Sequence, residues 1–349
     1  MNWQLYPATA FARHAGQWQA LNLASQRSAL LHPDFVQALV DQFATQDDWL
    51  AICQQEGNIV AMTLLRQRRG GRWNSFQPSQ QPLALWLHHP HAPLAALLHG
   101  LLRALPGWPL VCNLTQFDPA LVARPAEPDL HCVDALVTAR LTIQGSFDDY
   151  WQARSRNLRN NLGKQRKRLQ REGIVPRLEV VREEAAVAQA IADYGRLESS
   201  GWKGREGTAV HADNAQGHFY RKMLEAFCRR GQGCILRYWF GEQLAAMNLC
   251  IEDGDSLIVL KTSYDEQLEG HYSPAFLLRE DTLRQLFAEG RPRRLEFYGR
   301  TMEWHLRWTD EVRTMYHLTH YRWQLLGWLH TQLRVPALPQ NGSHKLFPN

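Results

Sequence analysis

The segment CILRYWFGEQLAAMNLCIEDGDSLIVLKTSY, Cys234 to Tyr264, holds three apolar runs separated by Gly241-Glu242 and by Asp253-Gly254-Asp255. Runs of strand length rich in Ile, Val, Tyr and Trp, parted by Gly-containing turns, read as an antiparallel meander. The same reading applies upstream to WLAICQQEGNIVAMTLLRQRRGGRWNSFQ, Trp49 to Gln77, where Glu56-Gly57 and Gly70-Gly71 supply the turns. Each meander leads into a helix candidate, APLAALLHGLLRAL in the first half and SPAFLLREDTLRQLFAEG in the second. Each helix is followed by one more strand, PLVCNLT and RRLEFYG. Strand and helix starts lie 43 residues apart from Trp49 to Ala92 and 40 apart from Cys234 to Pro274; first and last strands lie 60 and 59 apart. Two matching spacings predict a duplicated α/β unit, a mixed and largely antiparallel sheet flanked by helices.

The length of 349 residues suits two domains with separate cores. A Pro-containing segment, RPAEPD, places the boundary near residue 140, giving units at 1–140 and 141–333 and a tail at 334–349. At 45% hydrophobic and 21% charged residues, the chain belongs with folded rather than disordered proteins. Six cysteines without a CxxC pair offer no zinc or disulfide framework, so no metal is expected. The N-terminus lacks a basic-then-apolar leader, and no apolar run reaches the ~18 residues of a membrane span, so a cytoplasmic protein is expected.

Between Arg154 and Arg171 lie eight basic residues and no acid. They account for the net charge of +5, because the rest of the chain has 31 basic against 34 acidic residues. A nucleic-acid binder spreads its cations over a face; here they sit in one segment, so a nucleic acid is not the expected partner. Trp151, Leu158, Leu162 and Leu169 recur at helical spacing, which predicts an amphipathic helix with the cations mostly on its outer face.

Dinucleotide, P-loop, nucleophile-elbow and HExxH signatures are absent. Three segments carry candidate chemistry. RLESSGWKGREGTAV sets Glu198, Trp202 and Lys203 where a helix runs into a Gly-rich loop. LKTSYDEQLEGHYSPAFLL runs from a strand through Gly270 to a helix with Ser273 as N-cap and Pro274 at its first position, a start suited to a phosphate. LEFYGRTMEWHLRW places Glu296 at a strand end ahead of Tyr298, Arg300 and His305.

With these residues in place, the sequence resembles the GNAT-fold acyltransferases of the FemAB and CelD-like group, associated with cellulose and exopolysaccharide. Arg154 to Leu162 matches the R-S-R-N-L-R-x-N-L helix of that group, and ESSGWKG its E-x-x-G-W-K-G motif with one extra residue. Tyr272, Ser273 and Pro274 match the tyrosine and S-P-G step, and Glu296 to Trp308 loosely match the last motif. The sequence departs from the pattern at Ala275, Glu296 and the Trp304–His305 pair. The resemblance covers most of 135–325 and implies tandem GNAT-like units, the first degenerate.

It implies an acyl-CoA, acetyl-CoA foremost, as co-substrate, and an anionic sugar or amine as acceptor. The loop Gly270, His271, Tyr272, Ser273, Pro274, Ala275 and Phe276 would hold the pyrophosphate. The strand holding Leu260, Lys261 and Thr262 would pair with the pantetheine arm. Glu198, Glu296 and His305 are the candidate bases, and Tyr264 and Tyr298 the candidate donors to developing charge. Arg154, Arg156, Asn157 and Arg159, with Trp202 and Lys203, would border the acceptor cleft. Rival readings are a FemAB-type aminoacyl-tRNA-dependent ligase on a peptidoglycan precursor, and a non-catalytic partner of polysaccharide assembly.

Overall fold

The computed structural model describes residues 1–199 and 210–333. The first half runs β1 (Asn2–Pro7), α1 (Phe11–Ala24), α2 (Pro33–Phe43), β2 (Asp48–Gln55), β3 (Asn58–Arg68), β4 (Arg72–Ser75), β5 (Trp86–His88), α3 (Leu94–Ala104) and β6 (Val111–Phe117). The long strand β7 (Leu130–Thr142) leads to α4 (Phe147–Ala153) and α5 (Arg156–Arg171). The second half continues β8 (Pro176–Val181), α6 (Glu184–Ser199), α7 (Ala215–Arg229), β9 (Gly233–Phe240), β10 (Gln243–Glu252) and β11 (Ser256–Tyr264). It closes with α8 (Glu266–Tyr272), α9 (Pro274–Glu289), β12 (Arg294–Glu296), α10 (Glu303–Leu306), β13 (Val312–Tyr321) and α11 (Gln324–Leu333).

All but β5 line up in one sheet, in the order β1-β2-β3-β4-β6-β13-β7-β12-β11-β10-β9-β8, and β5 pairs with β3. The order is a near mirror image about the β13–β7 pair. The meander β2-β3-β4 corresponds to β9-β10-β11, and the parallel pair β4/β6 to β11/β12. Two helices precede each meander, and α3 follows the first while the short α8 and the long α9 follow the second, so the repeat read from spacing is present in the fold.

The two halves exchange a strand. β7 follows β6 in sequence yet pairs with β12, while β13, after β12, pairs with β6. β7 and β13 then pair with each other from His320–Leu130 to Val312–Ala139 and weld the halves together. A boundary at residue 140 therefore falls inside β7, and β13 completes the sheet of the first half.

One face of the sheet carries α1, α2, α6 and α7 over a core that runs through both halves, from Leu50 and Met62 to Ile235, Met247 and Ile258. The opposite face is split. α3 covers Trp73, Cys112 and Leu114, while α4, α5 and α9 cover Cys250, Leu257 and Leu295. α5 begins with the Ser155 hydroxyl accepting from the Leu158 N–H. Its Leu158, Leu162 and Leu169 are buried as their spacing predicts, each contributing about 2 kcal/mol of apolar burial. The six cysteines are free thiols. No helix among the described residues is long and apolar enough to cross a membrane.

Candidate active site

In the second half the sheet opens. β11 and β12 pair only at Ser256, Leu257 and Ile258 with Arg294, Leu295 and Glu296. β12 stops there, while β11 runs on to Tyr264 with β10 as its one strand neighbour among the described residues. The cause is local: beyond Glu296 the chain stays tied to β7, through Phe297 N–H to Ala139 O and Thr301 N–H to Val137 O. The result is a V with an unpaired β11 edge along one arm. Just inside it β11 carries a bulge, because Leu249 pairs with Lys261 but Cys250 with Val259, leaving Leu260 over. A bulge re-aims side chains and backbone dipoles, and bulges gather beside active sites.

Glu296 lies at the apex of the V on the α6/α7 face and is 5% exposed. It accepts from Arg313 Nη2 at 2.9 Å. The same guanidinium grips Asp118, from the loop after β6, with Nε at 2.9 Å and Nη2 at 2.7 Å. One buried cation thus joins the first half, β13 and the end of β12. Burial pushes the Glu296 carboxyl above the usual carboxylate range, and Arg313 opposes that shift. Tyr298, two residues on, takes φ +39°, a conformation costly outside glycine and frequent at functional sites. The Arg313 guanidinium lies 5.1 Å from its ring centre. Burial holds the Tyr298 phenol protonated far past neutrality, next to Asp118.

Glu198 reaches the same face from the last turn of α6. It is buried, accepts from Val210 N–H at 2.7 Å and pairs with Lys261 at 3.6 Å. Gly195 makes this possible, since a Cβ there would stand 2.8 Å from the Val210 carbonyl. Trp202 and Lys203 lie outside the described residues. Lys261, expected along the pantetheine, faces Glu198, because the bulge at Leu260 shifts the alternation by one.

The other candidates stand on the α9 face. His305 packs against Trp304 and Phe297, and its Nδ1 accepts from Met302 N–H at 2.9 Å. Burial and the nearby Arg279 pull it down to about 4, so it is a neutral capping residue rather than a base poised near neutrality. Tyr264 packs with the same core, and burial pushes it up to about 12. The expected phosphate loop is largely helix: Glu266–Tyr272 forms α8, with Gly270 and His271 inside it. Ser273 adopts the left-handed conformation, and its carbonyl takes the Phe276 and Leu277 N–H groups, while its own N–H goes to Glu269 O. Most of the donors expected free at this helix start are thereby spent.

α5 lies on this face too, opposite Glu296 and Arg313. Gln165 Nε2 donates to Ser273 Oγ at 2.9 Å, and Arg168 lies 5.2 Å from the Tyr272 ring centre. Arg154 is held by Trp308 O and Asp310, and Arg159 by Gln152 and Arg154 O; Arg156 and Asn157 are exposed. The basic helix thus adjoins the start of α9, not the face that carries Glu198 and Glu296.

Asp118, Arg313 and Arg279 escaped the sequence reading. Arg279, on α9, is 3% exposed, and its Nε and Nη1 have no hydrogen-bond partner among the described residues. Its guanidinium lies over Phe297 at 4.6 Å, beside the V, with no carboxylate among the described residues within ion-pair distance. Burial pulls it down to about 10. A cation buried without a counter-ion is costly. A signal was present, because Arg279 lies four and seven residues before Leu283 and Leu286, on the apolar stripe of α9.

A β11/β12 fork with a bulge inside it, between a helix pair and a following helix, is the acyl-transfer scaffold of the GNAT fold. The family model described as an acetyltransferase (GNAT) domain matches residues 156–306, and the protein is an acyltransferase of GNAT fold. No curated protein matches the chain. Among solved structures it is similar to the C-terminal domain of a putative lysylphosphatidylglycerol synthetase from Agrobacterium fabrum, at 13% identity and a TM-score of 0.57, over 92% of this chain and 95% of that one. It is similar to L-PGS from Bacillus licheniformis at 12% identity and 0.54, over 91% and 96%. It is also similar to FemX at 10% identity and 0.55, over 94% and 99%. At such identities the likeness is one of fold.

Proposed function

We propose that the second half transfers an acyl group, acetyl foremost, from an acyl-CoA to an amine or hydroxyl of a cell-envelope or exopolysaccharide-related acceptor in the cytoplasm. The observation that carries this reading is the β11/β12 fork, with the Leu260 bulge inside it and Glu296 at its apex. The two sheet faces then divide the work. The unpaired β11 edge would take the donor's amide arm from the α9 side, and the Glu198–Glu296 face would take the acceptor.

Glu296, raised by burial, accepts the acceptor's proton as its nitrogen or oxygen attacks the acyl carbonyl. Arg313 keeps the carboxylate oriented, and Tyr298, whose phenol donates to Asp118, would have to turn from it to donate toward the charge that develops. Arg279 offers its unpartnered N–H groups to the anionic leaving group. On α5, which meets the α8–α9 junction through Gln165 and Arg168, the exposed Lys164, Lys167 and Arg171 would supply the charge for donor phosphates. The spent N–H groups at the start of α9 favour a second reading, in which the donor is an aminoacyl-tRNA, as in a FemAB-type ligase, and α5 meets its backbone. Calorimetry with acetyl-CoA separates the two. Binding that weakens on substituting Lys164 and Lys167 supports the first, and no binding with retained tRNA affinity supports the second.

A further inference from the structure

The first half has its own fork. β4 and β6 pair only at Arg72, Trp73 and Asn74 with Val111, Cys112 and Asn113, as β11 and β12 do in the second half. By that register Asn113 stands where Glu296 stands, so no acid occupies the apex. On the helix-pair face in front of it lie two adjoining cavities of about 590 and 450 Å³, which share Arg68, Asn74 and Asn113. Both fall within the range of ligand sites.

Cationic donors dominate the outer part of the lining. Arg68, Arg69 and Arg72 are exposed and have no ion pair among the described residues. Arg66 is already bound to Asp48, and the single lining carboxylate is Asp47. A chain of bonds orients the amides: Thr319 Oγ1 donates to Asn113 Oδ1, and Asn113 Nδ2 to Asn74 Oδ1, which leaves Asn74 Nδ2 to donate. His317 Nδ1 accepts from Gln116 N–H at 3.0 Å, so its neutral ring carries the proton on Nε2. Three forked guanidiniums, an amide and an imidazole N–H exceed what one carboxylate can accept and suit phosphoryl oxygens.

We propose that this trough, formed by Arg68, Arg69, Arg72, Asn74, Asn113 and His317, is a binding site for a phosphate or diphosphate group. It rests on the acyl-transfer reading only in naming that group as part of the acceptor. Thr319, on the Asn74–Asn113 rung, lies six residues along β13 from Arg313, about 20 Å at the rise of a strand. The acceptor is therefore elongated, its phosphate far from its reacting group. Such a phosphate belongs to a soluble nucleotide-linked molecule or to a lipid headgroup. Trp108, which is 67% exposed, flanks the outer end, with Arg322 stacked at 4.7 Å.

The test is calorimetry of the full chain with inorganic pyrophosphate, with and without CoA, for wild type and Arg68→Ala/Arg72→Ala. Both side chains are exposed, so the variant folds, which its melting curve verifies. Wild-type binding that weakens about tenfold or more in the variant, with CoA affinity unchanged, supports the site. Equal binding by both proteins, or none by wild type, overturns it. Loss of CoA binding alone, with arginine-dependent pyrophosphate binding intact, sinks the donor reading and leaves the trough standing. Arginine-dependent sedimentation with vesicles of four parts phosphatidylcholine to one of phosphatidic acid assigns the phosphate to a lipid. Arginine-dependent binding of UDP assigns it to a soluble carrier.

Discussion

Replacing Arg279 by methionine should stabilise the protein and impair it at once. The side chain is 3% exposed, and two of its three nitrogens have no partner among the described residues. Burial pulls the guanidinium from its ordinary value near 12.5 to about 10. At about 1.4 kcal/mol per pH unit, that is a charge-burial penalty of about 3 kcal/mol. The contact with Phe297 at 4.6 Å returns about 1 kcal/mol. Methionine fills most of the volume and has no charge to bury, so the net gain is about 2 kcal/mol. For a chain of this size that raises the melting midpoint by roughly 3 °C. Turnover, followed as CoA release with a saturating acceptor, should fall about 100-fold, the scale of removing one donor to developing charge. A lowered midpoint would mean that the guanidinium is satisfied in the folded protein. Undiminished turnover would mean that it does not face the leaving group. Either result refutes the assignment.

Glu296→Gln keeps the contact with Arg313 but cannot take a proton, so kcat should fall by about 10² to 10⁴; an unchanged rate would move the base to Glu198. In wild type the acid limb of the pH–rate profile should lie above the ordinary carboxylate range, because burial raises Glu296. Arg313→Met strands Asp118 and Glu296 as buried charges and should cost about 3–5 kcal/mol in urea unfolding. Burial raises the Glu269 carboxyl to about 7. The folded protein therefore holds that proton more tightly than the unfolded chain, and stability from this group is present below about pH 4.5 and lost as pH rises through 7. Glu269→Gln should flatten that part of the stability–pH curve and raise stability at pH 8 by about 2 kcal/mol; a curve identical to wild type would show that the carboxyl is solvated.

What the sequence made legible was local. The two meanders followed from Gly turns and short β-rich runs, and α5 from the 3.6-residue recurrence of its leucines; neighbours in sequence decide such features. The strand exchange was not legible, because β7 and β13 look alike as strands and their partners lie far away along the chain. The bulge at Leu260 was hidden for a related reason. A strand's alternation is read as unbroken, and one surplus residue sends Lys261 to the opposite face. The start of α9 misled because Pro274 promises a helix with free N–H groups, while the left-handed Ser273 brings its carbonyl back to consume them. Arg279 was passed over because an arginine in a helix is read as solvated, although its place on the Leu283–Leu286 stripe argued otherwise.

The exchanged strands explain why two similar units need not do the same work. Each fork requires a neighbour that holds one arm away from the other. In the second half β7 does this, binding Phe297 and Thr301 and keeping the chain beyond Glu296 off β11. In the first half β13 fills the matching place, and side chains bridge the fork: Ser75 Oγ accepts the Thr115 N–H, and Gln77 binds Thr115 and Gln116. A fork bridged in this way cannot admit an acyl donor's arm, and with Asn113 at its apex it has no base. What persists there is the polar face in front of the fork, with its arginines unspent. Because β13 carries both Arg313, which orients Glu296, and His317, which lines the trough, any ligand held at one end of that strand is placed in register with the acid at the other. On the proposed reading, the first unit would contribute position and the second the chemistry.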